Sequence, residues 1–179
     1  MGTWFTSDWH LSHKNIMKYS KRPYKTVEEM DKTIMENFNN LVKENDEVYY
    51  LGDFCFKKDR TEEYLNEMKG KLYFVMGNHD RHIKHVLKKY CEAVWDLKEI
   101  KVNMQSITLS HYPMYTHNKS HYNAWNLYGH HHRETGHLFQ GKKMNVSVDV
   151  TRFKPVPFEE VSEYMASRED NWDLIKRER

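Results

Sequence analysis

Leu72-Tyr73-Phe74-Val75-Met76-Gly77-Asn78-His79-Asp80 reads as a short apolar run that stops at a glycine and hands over to an amide, an imidazole and a carboxylate. The run Leu72–Met76 reads as a strand. Gly77 permits a sharp turn and a close backbone approach at its end. Alone, Gly-Asn-His-Asp could be a tight turn with a histidine kept for packing. It does not stand alone. Asp8-Trp9-His10 follows a predicted strand at Thr3–Ser7, and Gly52-Asp53 follows Tyr49-Tyr50-Leu51. His111 follows Thr108-Leu109-Ser110, and Gly129-His130-His131-His132 follows Asn126-Leu127-Tyr128. Ligand sites in open α/β sheets gather beyond the carboxyl ends of strands, so these clusters can converge in space.

Around them the chain alternates strands with helices. Val27, Met30, Ile34, Phe38, Leu41 and Val42 recur at helical steps, and Thr26 with Glu29 forms a capping-box start, which predicts a helix over 26–42. A strand at Glu47–Leu51 precedes a helix over 61–68 that ends before Gly70. A short helix is predicted at Arg81–Tyr90, and strands at Ala93–Leu97, Ile100–Val102, Ser106–Ser110, Asn126–Tyr128 and Met144–Val150. A last helix starts near Phe158, after Pro157, and runs towards Ala166. No repeat or linker interrupts the pattern. It reads as one α/β domain over residues 1–179, with early βα units and a later, more antiparallel portion.

Composition sets the class. The 179 residues are 39% hydrophobic and 30% charged, as in an ordinary globular protein able to bury a core. A net charge of +2 is too mild for a dedicated nucleic-acid binder, and Lys176-Arg177-Glu178-Arg179 reads as a solvated tail. Cys55 and Cys91 make neither a disulfide framework nor a thiolate metal site and read as reduced, buried thiols. Met1-Gly2-Thr3-Trp4 opens no signal peptide and no segment has the length of a membrane span, so a cytoplasmic protein is expected. The anomaly is 12 histidines, several beside Asp, Asn and Gly at the ends of apolar runs.

Those histidines suit metal chemistry. Asp8 and His10 are two apart, so on extended backbone their side chains leave on the same side, and His130 and His132 repeat the spacing. Carboxylate oxygen, imidazole nitrogen and one amide oxygen are ligands for Mn, Fe, Ni or Zn. One carboxylate between two such half-sites can bridge two ions. Each short motif is common; the ordered set of five is not.

That ordered set, Asp-x-His, Gly-Asp, Gly-Asn-His-Asp, His and Gly-His-x-His, resembles the calcineurin-like metallophosphoesterase superfamily from residue 8 to 132. Further similarity in Thr6–Asn15, Arg22-Pro23-Tyr24 and Asn145–Val150 is to a compact bacterial and phage branch. The resemblance implies a four-layer αββα sandwich without a cap domain. It implies one ion held by Asp8, His10, Asp53 and His132, and another by Asp53, Asn78, His111 and His130, with Asp53 as the bridge. His79 would be a non-ligand histidine beside the phosphate, and Asp80 would orient it. The arginine that the family often shows four residues beyond the bridging Asp is here Lys57, so that role is not carried over.

The expected function is hydrolysis of a phosphodiester or phosphomonoester in a small substrate, nucleotides included. Two divalent transition metal ions, with Mn the one expected to support activity, would generate a bridging hydroxide as nucleophile. His79 would act as general acid, without a covalent intermediate. No membrane partner and no stable nucleic-acid complex is expected. A nuclease acting on DNA or RNA would call for a basic groove or extra domains. A non-catalytic scaffold would have lost ligands that are all present. Asn78, His13, Asn15 and Arg22 are candidate substrate contacts, Arg22 because guanidinium matches phosphate, although a surface arginine before Pro23 is the plainer reading. His82, His85, His117, His121, His131 and His137 lack ligand-like context. Tyr112, Tyr115, Tyr122, Trp125 and Tyr128 read mainly as core or wall, with one ring able to stack on a base.

Overall fold

The structure, a computed structural model, describes residues 1–135 and 140–175. His137 and the basic tail at 176–179 lie outside the described residues. Two sheets form the frame. The first runs β4-β3-β2-β1-β9, from β1 (Thr3–Thr6), β2 (Glu47–Tyr50), β3 (Lys71–Val75), β4 (Ala93–Trp95) and β9 (Val156–Pro157). The second runs β5-β6-β7-β8, from β5 (Leu97–Val102), β6 (Gln105–Ser110), β7 (Trp125–Tyr128) and β8 (Lys143–Asn145).

The period of two along the strands builds two cores. Val48, Tyr50, Leu72, Phe74 and Met76 face one way, into a core shared with Met30, Ile34 and Phe38 of helix α2 (Val27–Leu41), Leu65 of α3 (Lys58–Glu67) and Leu87 of α4 (Lys84–Tyr90). Phe5, Tyr49, Leu51 and Val75 face the other way, against Ile107, Leu109, Trp125 and Leu127 of the second sheet. Helix α5 (Phe158–Ser167) adds Phe158, Val161 and Met165 to this second core. Each such side chain is worth about 1.5–3 kcal/mol when fully buried, so alternation holds both sheets in register. The architecture is the expected one, two sheets flanked by helices.

Several details depart from the sequence reading. The chain leaves the first sheet at Asp96, so the strand expected over 93–97 ends at Trp95 and β5 begins at Leu97. The second sheet is antiparallel only between β5 and β6; β6–β7 and β7–β8 are parallel. The strand expected over 144–150 stops at Asn145, apart from a single bridge from Ser147 to Ser7, and turns over 148–150. A one-turn helix, α1 (Ile16–Tyr19), was not anticipated, and α3 starts at Lys58 rather than 61. Helix α2 begins as expected: the Thr26 hydroxyl oxygen accepts from the Glu29 N–H at 3.1 Å, although Glu29 reaches back to the Lys25 N–H. Among the described residues no helix is long and apolar enough to cross a membrane.

Candidate metal centre

The ends of β1 and β2 continue side by side beyond the sheet. Asp8 donates its N–H to Gly52 O at 2.9 Å, His10 to Asp53 O at 3.0 Å and Leu11 to Phe54 O at 2.9 Å. Within this paired segment Asp8 (φ 59°), His10 (φ 51°), Ser12 (φ 61°) and Asp53 (φ 60°) all take left-handed backbone, as does His130 (φ 68°) after β7. Such a φ costs a residue with a Cβ roughly 1–2 kcal/mol and clusters at functional sites. The extended geometry expected for Asp8-Trp9-His10 is therefore not what makes Asp8 and His10 converge; two left-handed residues turn them to one place. Gly129 is required for a different reason: a Cβ there would lie 2.5 Å from Asp8 Oδ2.

Seven side chains gather at the seam of the sheets. Ligand atoms of Asp8, His10 and His132 all lie within 4.8 Å of one another, as do those of Asp8, Asp53 and His111. Asp53 Oδ2 stands 3.5 Å from both His10 Nε2 and His111 Nε2, between the two groups. Asn78 Oδ1 lies 2.9 Å from His111 Nε2 and 3.2 Å from His130 Nδ1, which adds Asn78 and His130 to the second group. Asp8, common to both groups, is as central as Asp53. Its carboxylate also accepts from the His130 N–H at 3.0 Å and from the Ser7 hydroxyl at 2.6 Å.

The charges are under tension. Burial pushes the Asp8 carboxyl up to about 6, despite His111 and His132 nearby. Burial works the same way on Asp53, but a hydrogen bond and charge from His111, with His10, outweigh it and hold that carboxyl at about 2. Burial lowers His111, yet Asp53 and Asp8 pull it up to about 9. Burial takes His10 well below its ordinary value. Two buried carboxylates that can retain a proton on an imidazole can retain a cation in its place. His10 Nε2 is buried without a hydrogen-bond partner among the described residues, a cost that a coordinate bond would remove. The donor set fits borderline divalent metals.

A family comparison agrees. The model of the calcineurin-like phosphoesterase superfamily domain matches residues 1–147. The chain belongs to this superfamily. It is 38% identical over 162 residues to the uncharacterized protein MJ1445 of Methanocaldococcus jannaschii, across 84% of this chain and 83% of the relative. The Gene 66 protein of Mycobacterium phage L5 is 32% identical over 82 residues, 44% of this chain and 39% of that one. The crystal structure of AQ665, a protein of unknown function from Aquifex aeolicus, matches with a TM-score of 0.74 at 27% identity, covering 91% of this chain and 98% of its own. Membership places the chain among phosphoester hydrolases, a class that typically depends on metal ions.

In this calcineurin-like phosphoesterase the residues around the ligands sort differently from expectation. His79 is exposed; its N–H donates to Asp53 Oδ1 at 2.9 Å and its ring lies 5.5 Å from that of His10. Asp80 does not orient His79: no hydrogen bond joins its carboxylate to that ring among the described residues. Fully buried, it instead accepts from the N–H groups of Asp53 (2.7 Å), Gly77 (2.8 Å) and Phe54 (2.9 Å), bracing the loop that presents Asp53. Arg22 is not a substrate contact either. Its side chain has no exposure, and its donors go to Asp8 O, Trp9 O and, bidentately at 2.9 and 2.7 Å, to Asp149. Asp149, given no role in the sequence reading, also takes the Nδ1–H of His132 at 2.7 Å, leaving Nε2 of that ring for a ligand role. Reading 144–150 as strand hid an aspartate that sits in a turn.

His13 stacks on Phe56 at 4.2 Å and lies 5.5 Å from the His10 ring, whereas Asn15 is exposed and its side chain does not cap α1. His117 is a buried structural histidine between Thr108 Oγ1 and Asn118 O, each at 3.2 Å. Of the aromatic group expected in the core, Trp125 and Tyr128 are buried, but Tyr112, Tyr115 and Tyr122 are exposed. Cys55 and Cys91 are free and buried, with thiols pushed by burial up to about 11 and about 12.

Proposed function

We propose that the chain hydrolyses a small phosphoester with the help of two divalent cations. The observation that carries this reading is the pair of ligand groups sharing Asp8, each within 4.8 Å, with Asp53 between them. Asp8, His10, Asp53 and His132 would hold one ion, and Asp53, Asn78, His111 and His130 the other. Bound there, Mn, or Fe, Ni or Zn, would supply Lewis-acid charge to the phosphate oxygens and lower the pKa of an attacking water. The chain's own part is to place and to protonate. Arg22, Asp149 and Asp80 hold the ligand loops. His79, exposed at the rim and tied through its backbone to Asp53, would give a proton to the departing oxygen. A small substrate, nucleotides included, is favoured by the net charge of +2 and by an adjoining cleft of about 840 Å³, the size of a small-molecule site.

The test pairs metal content with leaving-group dependence. Protein incubated with Mn should carry up to two ions per chain. His79→Asn should keep them, lose about 10²–10⁴-fold in rate on alkyl esters, and lose distinctly less on nitrophenyl esters, whose leaving anion needs no proton. His111→Ala should lose metal and both activities together. A folded protein that never exceeds trace metal, or that hydrolyses no ester with both ions bound, would refute the reading.

A further inference from the structure

The cleft of about 840 Å³ is lined by Asn78 and His111, the two members of the candidate ligand cluster that reach it, together with residues outside the cluster. One of its walls carries two cations, Arg81 and Lys84. Arg81 opens the 3-10 turn that follows Gly-Asn-His-Asp, and Lys84 opens α4 directly after that turn. Residues three apart along helical backbone lie on one side of it, and both side chains line the same cleft. Ile83, between them in sequence, is fully buried in the first core, which turns its exposed neighbours outward. Neither Arg81 nor Lys84 has an ion-pair partner among the described residues, unlike Arg22, Arg60 and Lys89. The same cleft is also lined by apolar and aromatic side chains, Leu97, Met114 and Tyr112, the last half exposed with its ring edge-on to His111 at 5.0 Å. Asp96 is the one acidic group of the lining.

Two cations without ion-pair partners among the described residues, in a cleft that also includes Asn78 and His111 of the proposed phosphoester site, are matched by a second phosphate on the same molecule. We propose that Arg81 and Lys84 form a subsite for a second, non-reacting phosphate, and that the substrate class is a phosphoester carrying one, with its organic body against Tyr112 and Met114. The proposal rests on the phosphoesterase reading and narrows its substrate. Arg81 would contribute paired donors and Lys84 a point charge. Metals at the cluster would hold the reacting phosphate, so the cations act on affinity and selection rather than on the bond that breaks.

A matched pair of esters tests it on the Mn-loaded protein: thymidine 5′-(p-nitrophenyl phosphate), and the same compound with a 3′-phosphate. The 3′-phosphorylated ester should be preferred in kcat/KM by about 10–100-fold, the scale of one or two charged hydrogen bonds. Arg81→Ala and Lys84→Ala should erase most of that preference through KM, with a far smaller loss on the ester that lacks the second phosphate. Arg81→Lys should keep part of it. Calorimetry of thymidine 3′,5′-bisphosphate against thymidine 5′-monophosphate should show the same difference in affinity, abolished in the double variant. Equal kcat/KM for the two esters, or variants that lose both equally, would overturn the subsite. If neither ester is hydrolysed, the calorimetric difference alone decides the subsite, and the phosphoesterase reading fails only if no other ester is hydrolysed with both ions bound.

Discussion

Arg22 shows how much one side chain can be asked to do away from the reacting centre. Its guanidinium joins the backbone of the Asp8 loop to Asp149, and Asp149 in turn fixes the His132 ring. A fork of donors in a dry site suits arginine and not lysine. Removing one partner of a buried ion pair typically costs about 3–5 kcal/mol, because the other charge is left without compensation. Arg22→Ala should therefore shift the urea midpoint by a loss of that order. Asp149→Asn, which frees the His132 ring, should weaken metal binding by about 10–100-fold, the scale seen when a partner of a ligating histidine is removed. Metal titration and urea denaturation of both variants check this. An Arg22→Ala protein of unchanged stability but raised KM would restore the substrate contact that the buried geometry removes.

At the scale of elements, the strands of the first sheet are fastened at both ends. Beyond their carboxyl ends, Asp80 braces the Asp53 loop. At the other end Asp46 accepts from the N–H of Gly2 (2.6 Å), the Trp4 indole N–H (3.0 Å) and the Lys43 N–H (3.1 Å), tying the start of β1 to the turn that enters β2. Partial burial pushes the Asp46 carboxyl up, but the hydrogen bonds from Gly2, Lys43 and Trp4 outweigh it and hold it below its ordinary 3.8. A depressed carboxyl favours the folded state above the unfolded value and loses that contribution as pH falls through its folded one. Asp46→Asn should thus be less stable than the parent at pH 7, and the gap should narrow below the ordinary carboxyl value of 3.8. Urea midpoints across pH, in chelator, read this directly. A gap that is constant or widens in acid would show that the ionised form is not what β1 and β2 depend on.

For the whole molecule, the decisive fact is that the candidate ligands come from both sheets. Asp8, His10, Asp53 and Asn78 follow strands of the first; His111, His130 and His132 follow strands of the second. Packing of Phe5, Leu51 and Val75 against Leu109 and Leu127 sets the sheets together, and the single bridge from Ser7 to Ser147 pins them at the ligand edge. Ions held there would cross-link the halves of the sandwich and bind the folded state in preference to the unfolded one. At free metal a hundredfold above Kd, each site should add about 2.7 kcal/mol. Thermal melting with Mn should exceed melting in chelator by several degrees, and Asp53→Asn should lose most of that increment. Identical melting temperatures in metal and in chelator would mean that no ion bridges the sheets.

The sequence alone determined what is local in chain distance: the strands, the amphipathic helix that opens at Thr26, and polar clusters that follow apolar runs and offer candidate metal ligands. A period of two or 3.6 and a cap are properties of neighbouring residues, so they are legible without a fold. The likeness of the ordered clusters extended this reading to the layered architecture, and it named the seven candidate ligands that the fold brings together. Only the tertiary structure decided which polar groups meet each other. Arg22 and Asp149 are 127 residues apart, and nothing around either predicts the other; their pairing took Arg22 from the substrate and gave His132 its partner. Asp80 lies beside His79 in the chain, yet its carboxylate turns to backbone amides of a loop 26 and 27 residues away, because burial makes any unpaired acceptor costly and those amides are what β2 brings within reach. The cations at Arg81 and Lys84 became informative in the same way, when the fold set them in one cleft with Tyr112. A hydrogen-bond partner is a fact of three-dimensional distance, and a buried charge must take whichever one the packed sheets leave beside it.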